Sequence, residues 1–506
     1  MSRLRTSLRT AAAVLTLVLL PSCMQVPDSG PVQPGPELGS EDEPALRYVP
    51  GGPRPGADQV EIVNGYLDAM RAYPANPGIV RQFLTERAAA SWNPGAGTQI
   101  YPDRPDVEEL AGNAVRIETG LVASLTDRGA WSTPPSSKRL ARVLRLSRQG
   151  GEWRIANPAS GLLLPEYDFE RYYRAYSLYF FDPALRVLVP DQVYLPQGDQ
   201  TATLLFRGLV RGPTEWLRGA VESVVPPTER ADASVPVTDD GVAQVKLRSP
   251  ARGLGAVERE QLAAQLSWTL RQVADVESIR VTVNGAPLVL EGESNLVDVE
   301  TGADYDPADS AASQAMFALR GNRVVTVDPF EGLSARLPGR FGSGAVPVSA
   351  FAVERSAQTI AAVTGDRSTV EVAQIGGDEP QVWFTEGTSL LGLQWDIHGL
   401  LWAVGGTTSA PAVHVMRDGR SAPVSIGPDA PDGIRAFSLS RDGVRLAVIA
   451  GRGAASRLLV GRVRRRPDEP LNVSVDRWRE VDTGPAGLSR FVDVAWGGPT
   501  ELTVVA

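Results

Sequence analysis

Residues 390–406 read LLGLQWDIHGLLWAVGG, and residues 434–451 read IRAFSLSRDGVRLAVIAG. Each has a strand-like run, a polar turn with Asp and Gly, and a second run of small and branched residues, which is the signature of two antiparallel strands. The plan recurs at 347–365 (PVSAFAVERSAQTIAAVTG) and at 490–506 (RFVDVAWGGPTELTVVA). With Val363, Val404, Val448 and Val504 taken as equivalent, the spacings are 41, 44 and 56. The first two match the period of a β-propeller blade, and the third leaves room for an arginine-rich loop, GRVRRRPDEP, at 461–470. One blade cannot bury both faces, so the units are expected to stack radially. Residues 315–506 hold about four blades plus a fragment. The quoted chain stops mid-repeat and an open propeller would expose a strand edge, so the natural chain is expected to continue.

Upstream, an aromatic segment at 164–183, LPEYDFERYYRAYSLYFFDP, leads into a second domain at 166–293. Phe169, Tyr172, Tyr173, Tyr176, Tyr179 and Phe180 recur at helical intervals and read as core or interdomain packing rather than a ligand stripe. A strand at 185–189 and a short helix, TATLLFRGLVRGP, closed by Gly212-Pro213, come next. Val242 to Leu247 is a strand, and 256–274 is a helix with Leu262, Leu266, Leu270 and Val273 on one face. SIRVTVNG turns at Asn284-Gly285. The order YFFDP, LVP, YLP, an amphipathic helix and IRVTVNG resembles the GerMN domain, an α+β module, over roughly 178–290. Residues 294–314 read as a linker.

Residues 57–165 begin with a helix on Val60, Val63, Leu67 and Met70, stopped by Pro74, and a second short helix near 79–90. Alternating runs at 114–119, 120–126 and 140–146 lead through Gln149-Gly150-Gly151 into Trp153-Arg154-Ile155. Helices followed by an antiparallel sheet make an α+β layer pair, and GGEWRIANPASGLLLP resembles the last hairpin of the NTF2-like fold. The whole therefore reads as a multidomain chain: two α+β domains, the first NTF2-like and the second GerMN-like, followed by an all-β propeller.

At the N-terminus, Arg3, Arg5 and Arg9 precede an apolar run of ten residues, 11–20, and no acid appears before Asp28. A membrane-spanning helix needs roughly 20 apolar residues, so this is an export signal rather than an anchor. The signal (1–22) ends in Leu20-Pro21-Ser22 ahead of Cys23, the only cysteine in the chain. LPSC resembles the lipobox of bacterial lipoproteins, although Pro21 departs from the small or hydroxyl residue usual there. The resemblance implies S-diacylglycerol and N-acyl groups on Cys23, which becomes the first residue after cleavage. A lone thiol in an oxidising compartment otherwise has nothing to pair with. Residues 23–56, rich in proline, glycine and acids, read as an extended tether.

The net charge of −9 becomes −12 once the three signal arginines are removed, which disfavours a nucleic-acid partner. Two lysines against 48 arginines point to GC-rich coding, so arginine abundance alone does not signal phosphate binding. Together the lipobox, tether, α+β domain, GerMN-like domain and propeller resemble the actinobacterial LpqB lipoprotein family. Membership implies a lipid-anchored protein on the extracytoplasmic face of the cell membrane. It also implies a partner, the extracytoplasmic domain of an MtrB-like sensor histidine kinase acting with the regulator MtrA, and effects on cell envelope and division.

No catalytic constellation stands out, and the chain reads as a non-enzyme with no cofactor and no metal site. Its two histidines, His398 in a propeller turn and His414 between Val413 and Val415, read as surface or packing residues. The first two domains contain no histidine, which excludes a Ser-His-Asp triad there. DYDPAD at 304–309 lacks the glycine and terminal glutamate of a calcium loop and reads as solvated linker. Arg464 to Arg466, answered by Asp468 and Glu469, reads as an exposed loop. Two alternatives stay open. One is a cell-wall glycan-binding or hydrolysing protein, with paired acids beside exposed Trp383, Trp395 or Trp402. The other is an envelope assembly scaffold.

Overall fold

The computed structural model describes residues 48–134, 138–226, 233–248, 254–290, 295–308, 313, 315–328, 330, 332, 334–407, 410–483, 488 and 490–506. Val49–Ala506 form one compact unit.

In the first domain, the helix Gln59–Met70 starts at a capping box: the Asp58 carboxylate accepts from the Glu61 N–H at 2.8 Å, and the Glu61 carboxylate accepts from the Asp58 N–H at 3.0 Å. The helix buries Ile62, Val63, Tyr66 and Met70 in the same cluster as Val115, Ile117, Leu144 and Ile155. The expected second helix is two, Pro77–Gln82 and Glu86–Ser91: the first ends at Phe83, and the Thr85 hydroxyl caps the second by accepting from the Ala88 N–H. One sheet joins Asp106–Leu110, Ala114–Gly120, Arg139–Gln149 and Glu152–Ile155 in that order. A second joins Trp131–Ser132, Ala123–Leu125, Thr98–Tyr101 and, in parallel, Leu162–Pro165.

In the GerMN-like domain the aromatic segment is helical only over Glu166–Tyr172. From Tyr173 to Phe181 it is a strand, paired antiparallel with Leu188–Pro196 in unbroken register from Tyr173↔Pro196 to Phe181↔Leu188. The three-to-four spacing of aromatics that reads as helix is overridden by this tertiary pairing. Its packing role is as expected: Phe169 lies within 5.0–5.6 Å of Trp131, Tyr173 and Tyr194, joining the first two domains. Val242–Leu247 pairs in parallel with Ser278–Val283, and the helix Ala256–Leu270 makes the crossover. Asn284 (φ 53°) and Gly285 (φ 83°) make the expected turn, both in the left-handed region that a tight hairpin requires.

The segment read as a solvated linker is partly packed. Val297–Asp298 adds a strand beside Ser278–Ile279, the Trp268 indole N–H donates to the Gly302 carbonyl at 3.0 Å, and Tyr305 stands edge-on to Phe181.

The C-terminal region consists of antiparallel sheets in strict sequence order. The first is three-stranded (Met316–Arg320, Arg323–Val327, Ser334–Arg336), three four-stranded sheets begin at Val348, Gly392 and Ile434, and Asp493–Trp496 pairs with Leu502–Val505. Val363, Val404, Val448 and Val504 all lie on the second strand of their sheets. First strands of successive sheets lie side by side, the arrangement of propeller blades around an axis.

Candidate interdomain site

Two seams, one on each side of the GerMN-like domain, gather the polar side chains the fold leaves for function. The seam with the propeller is built from charged groups. Asp182, in YFFDP, is fully buried and accepts from the backbone N–H groups of Ala184, Arg186 and Val187 at 2.9, 2.6 and 2.8 Å, an arrangement that fixes the turn after the strand. Facing it is the propeller turn that carries His398. Asp396 holds that turn by accepting from the His398 and Leu400 N–H groups at 2.8 Å and from the Trp402 indole at 2.9 Å. Arg465 Nη2 lies 2.8 Å from the fully buried Asp396 carboxylate, and its guanidinium stands over the Trp402 ring at 5.4 Å.

His398 Nε2 is 3.8 Å from Asp182 Oδ2, beyond hydrogen-bond reach, and has no hydrogen-bond partner. Burial, and next the Arg465 charge, push the imidazole down to about 4 against the opposing pull of Asp396 and Asp182. At neutral pH the ring is therefore uncharged, and the contact with Asp182 is packing rather than an ion pair.

Arg445 and Arg462 are buried arginines that cross the seam itself. Arg445 bonds Asp442 on its own blade and the Pro190 carbonyl on the other domain. Arg462 grips Asp476 through two bonds of 2.8 Å and donates Nη1 to the carbonyls of Trp216 at 2.9 Å and Arg218 at 2.5 Å. Trp216 returns its indole N–H to the Arg477 carbonyl at 2.8 Å. Asp191, buried beside this seam, accepts from the Thr214 N–H and hydroxyl at 2.6 and 2.9 Å; burial raises its pKa, and those bonds oppose the rise.

The seam with the first domain adds a backbone contact to the ring cluster of Trp131, Phe169 and Tyr194. The Tyr194 N–H donates to the Gly129 carbonyl at 2.9 Å, while the Gly129 N–H donates to the Thr126 carbonyl at 3.0 Å within its own domain. Gly129 has φ 78°, and a Cβ there would stand 2.9 Å from the Tyr194 carbonyl oxygen, so glycine is required twice over. A cavity of about 510 Å³ opens beside this contact.

The residues singled out from sequence fall as follows. Cys23 and the lipobox residues Leu20, Pro21 and Ser22 lie outside the described residues. The arginine-rich loop is not simply exposed: Arg464 and Arg466 are, but Arg465 is sequestered at the seam, and Arg462 just before them is 3% exposed. His398 packs at that seam, and His414 lies 4.7 Å from the Phe384 ring with its pKa lowered by burial. The tryptophan platform of the glycan alternative is not formed. Trp402 is fully buried, while Trp383 and Trp395 are half-buried and stack edge-on against each other at 5.6 Å, where inward-facing blade positions place them. Among the described residues no three His, Cys, Asp or Glu side chains converge as a metal site. No described helix is long and apolar enough to cross a membrane.

Comparison with known proteins follows the same domain order. The family model described as "Lipoprotein LpqB, N-terminal domain" matches residues 52–170, "Sporulation and spore germination" matches 177–289, and "Lipoprotein LpqB beta-propeller domain" matches 323–506. A Lipoprotein LpqB of Thermobifida fusca is 27% identical across 98% of this chain and 87% of its own length. One of Mycolicibacterium smegmatis is 29% identical across 87% and 78%. Among solved structures, the first GerMN domain of the Bacillus subtilis sporulation protein GerM aligns with 25% of this chain and 97% of its own, at 20% identity and a TM-score of 0.21.

Proposed function

We propose, from the premise that this chain belongs to the LpqB lipoprotein family, that it is held at the extracytoplasmic face of the cell membrane by acyl groups on Cys23. There it binds and modulates the extracytoplasmic domain of a sensor kinase of the MtrB type, which works with an MtrA-type regulator. It does so as a binding protein without catalysis of its own, and its effects reach cell envelope and division.

The observation that carries this reading is the use to which the buried charges are put. Arg445 and Arg462 are spent on backbone carbonyls of the neighbouring domain, and Asp182, Asp191, Asp396, Asp442 and Arg465 are tied up by partners within their own domains beside that seam. A body joined in this way presents fixed surfaces, and a partner that fits one kinase conformation better than another by a few kcal/mol shifts the population between them. Acyl chains at about 0.8 kcal/mol per buried methylene would keep the protein beside a membrane-embedded partner. A tether of roughly 30 residues gives it reach of some tens of ångströms.

The test is photocrosslinking of the full acylated chain in membranes that contain the kinase, joined to binding of the purified kinase ectodomain. A specific crosslinked product and saturable binding are expected. Failure of both with acylated protein removes the basis of the proposal.

A further inference from the structure

The cavity between the first domain and the GerMN-like domain has about 510 Å³, inside the roughly 300–1,000 Å³ typical of small-molecule sites. Its walls are apolar: Leu125 and Leu162 come from the first domain, and Leu178, Leu195, Leu204 and Val210 from the second. The helix Thr201–Arg211 divides its two sides between tasks. Ala202, Leu205, Phe206 and Leu209 are buried in the domain core, whereas Leu204, Arg207, Gly208 and Arg211, at i, i+3, i+4 and i+7, line the cavity.

Gly208 lets the helix pack closely on the strand that carries Leu178. A Cβ at this position would approach the Leu178 methyls to 2.8 and 2.9 Å and force that side chain to move.

The charged lining is mostly cationic. Arg128, Arg207 and Arg211 face a single acid, Asp127, among the described lining residues. Arg128 Nη1 donates to the carbonyls of Arg211, Gly212 and Pro213 at 2.8–2.9 Å, so it is a structural tie between the domains. Arg207 and Arg211 each make one described bond, to the carbonyls of Ala233 at 3.0 Å and Asp127 at 3.1 Å, and both are exposed. Neither is paired with a carboxylate among the described residues, which leaves guanidinium donors directed to whatever enters.

An apolar pocket beneath a cationic rim is complementary to a molecule with an apolar tail and an anionic head. We propose that this cavity binds a single-chain fatty acid, with the acyl chain along the leucine walls and the carboxylate at Arg207 and Arg211. Because both domains supply walls, occupancy would bias their seam; the site does not depend on which partner the protein has.

The experiment uses the full chain in membranes and a hexadecanoic acid bearing a photoreactive diazirine on its chain. Labelled peptides are mapped by mass spectrometry. Labelling is expected in the segments that contain Leu178 and Leu204 to Val210, and unlabelled hexadecanoate is expected to displace it. Arg207→Gln with Arg211→Gln should lower it at least tenfold at unchanged melting temperature, whereas the paired lysine variants should retain it. Equal labelling of the paired glutamine variant, or equal labelling of wild type by the matching fatty alcohol, overturns the proposal. So does displacement by a two-chain phosphatidic acid as effective as that by hexadecanoate.

Discussion

The Arg462 guanidinium lies 2.9 Å from the carbonyl oxygen of Trp216, a residue 246 positions earlier in the chain, while its other face is paired with Asp476. Arg462 is 3% exposed, and removing its side chain takes a donor from two carbonyls at a domain seam and the nearer of two arginines from Asp476. Arg462→Ala is expected to destabilise by about 2 kcal/mol, below the scale for breaking a fully buried pair because Asp476 is one-third exposed and Arg464 lies 3.9 Å from it. Arg457→Ala, whose partner Glu480 is 3.8 Å away on the surface, should stay within about 0.5 kcal/mol. Denaturant unfolding of both variants checks this. Proteolysis between the GerMN-like domain and the propeller should quicken only in the first.

The seam also predicts a direction of pH dependence. His398 is held neutral, with a folded value near 4 against an ordinary value of 6.5, so between those limits the unfolded chain binds the extra proton. The contribution is fully present above about pH 6.5 and is lost as the pH falls toward 4, on the order of 3 kcal/mol over the window. His398→Gln should flatten the stability profile across that window. An unchanged slope in the variant would assign the dependence to other groups.

Gly129 and Gly150 separate two costs of replacing a glycine. Both have positive φ, 78° and 62°, but a Cβ at Gly150 meets nothing within 4 Å, whereas one at Gly129 meets the Tyr194 backbone. Gly150→Ala should cost about 1 kcal/mol from backbone conformation alone. Gly129→Ala should cost more and loosen the contact between the first two domains, seen as faster amide exchange at Tyr194. Equal costs would mean that the close approach contributes nothing.

Much of this architecture was legible because the signals are local. Strand, turn and strand recur with Val363, Val404, Val448 and Val504 in one structural position, and Asn284-Gly285 specifies a turn from two residues. The strand Tyr173–Phe181 was not, since its aromatics satisfy helical spacing and only pairing with Leu188–Pro196 decides the matter. The site was hidden for the same reason. Nothing near Arg462, Arg465 or His398 in sequence indicates that a separate domain supplies Trp216, Pro190 and Asp182. A hint was available: Arg462 alternates with Gly461 and Val463 inside a strand rather than a loop.

Trp402 distinguishes packing from ligand binding. Fully buried, with its indole N–H given to Asp396, it should cost about 3–5 kcal/mol as Trp402→Ala. Half-buried Trp383→Ala should cost less, and neither variant should change retention on peptidoglycan fragments. Retention by the wild type that is lost in Trp383→Ala at preserved stability would revive the glycan reading.

We propose that the anchored protein biases a sensor kinase through its extracytoplasmic domain. Autophosphorylation of the full-length kinase, reconstituted in membranes with and without saturating acylated protein, tests it most directly. A change of about fivefold or more is predicted, the lower end of ordinary allosteric coupling, and it should vanish when the kinase ectodomain is deleted. The same rate with and without the protein, under conditions where both are shown to share the membrane, would contradict the account.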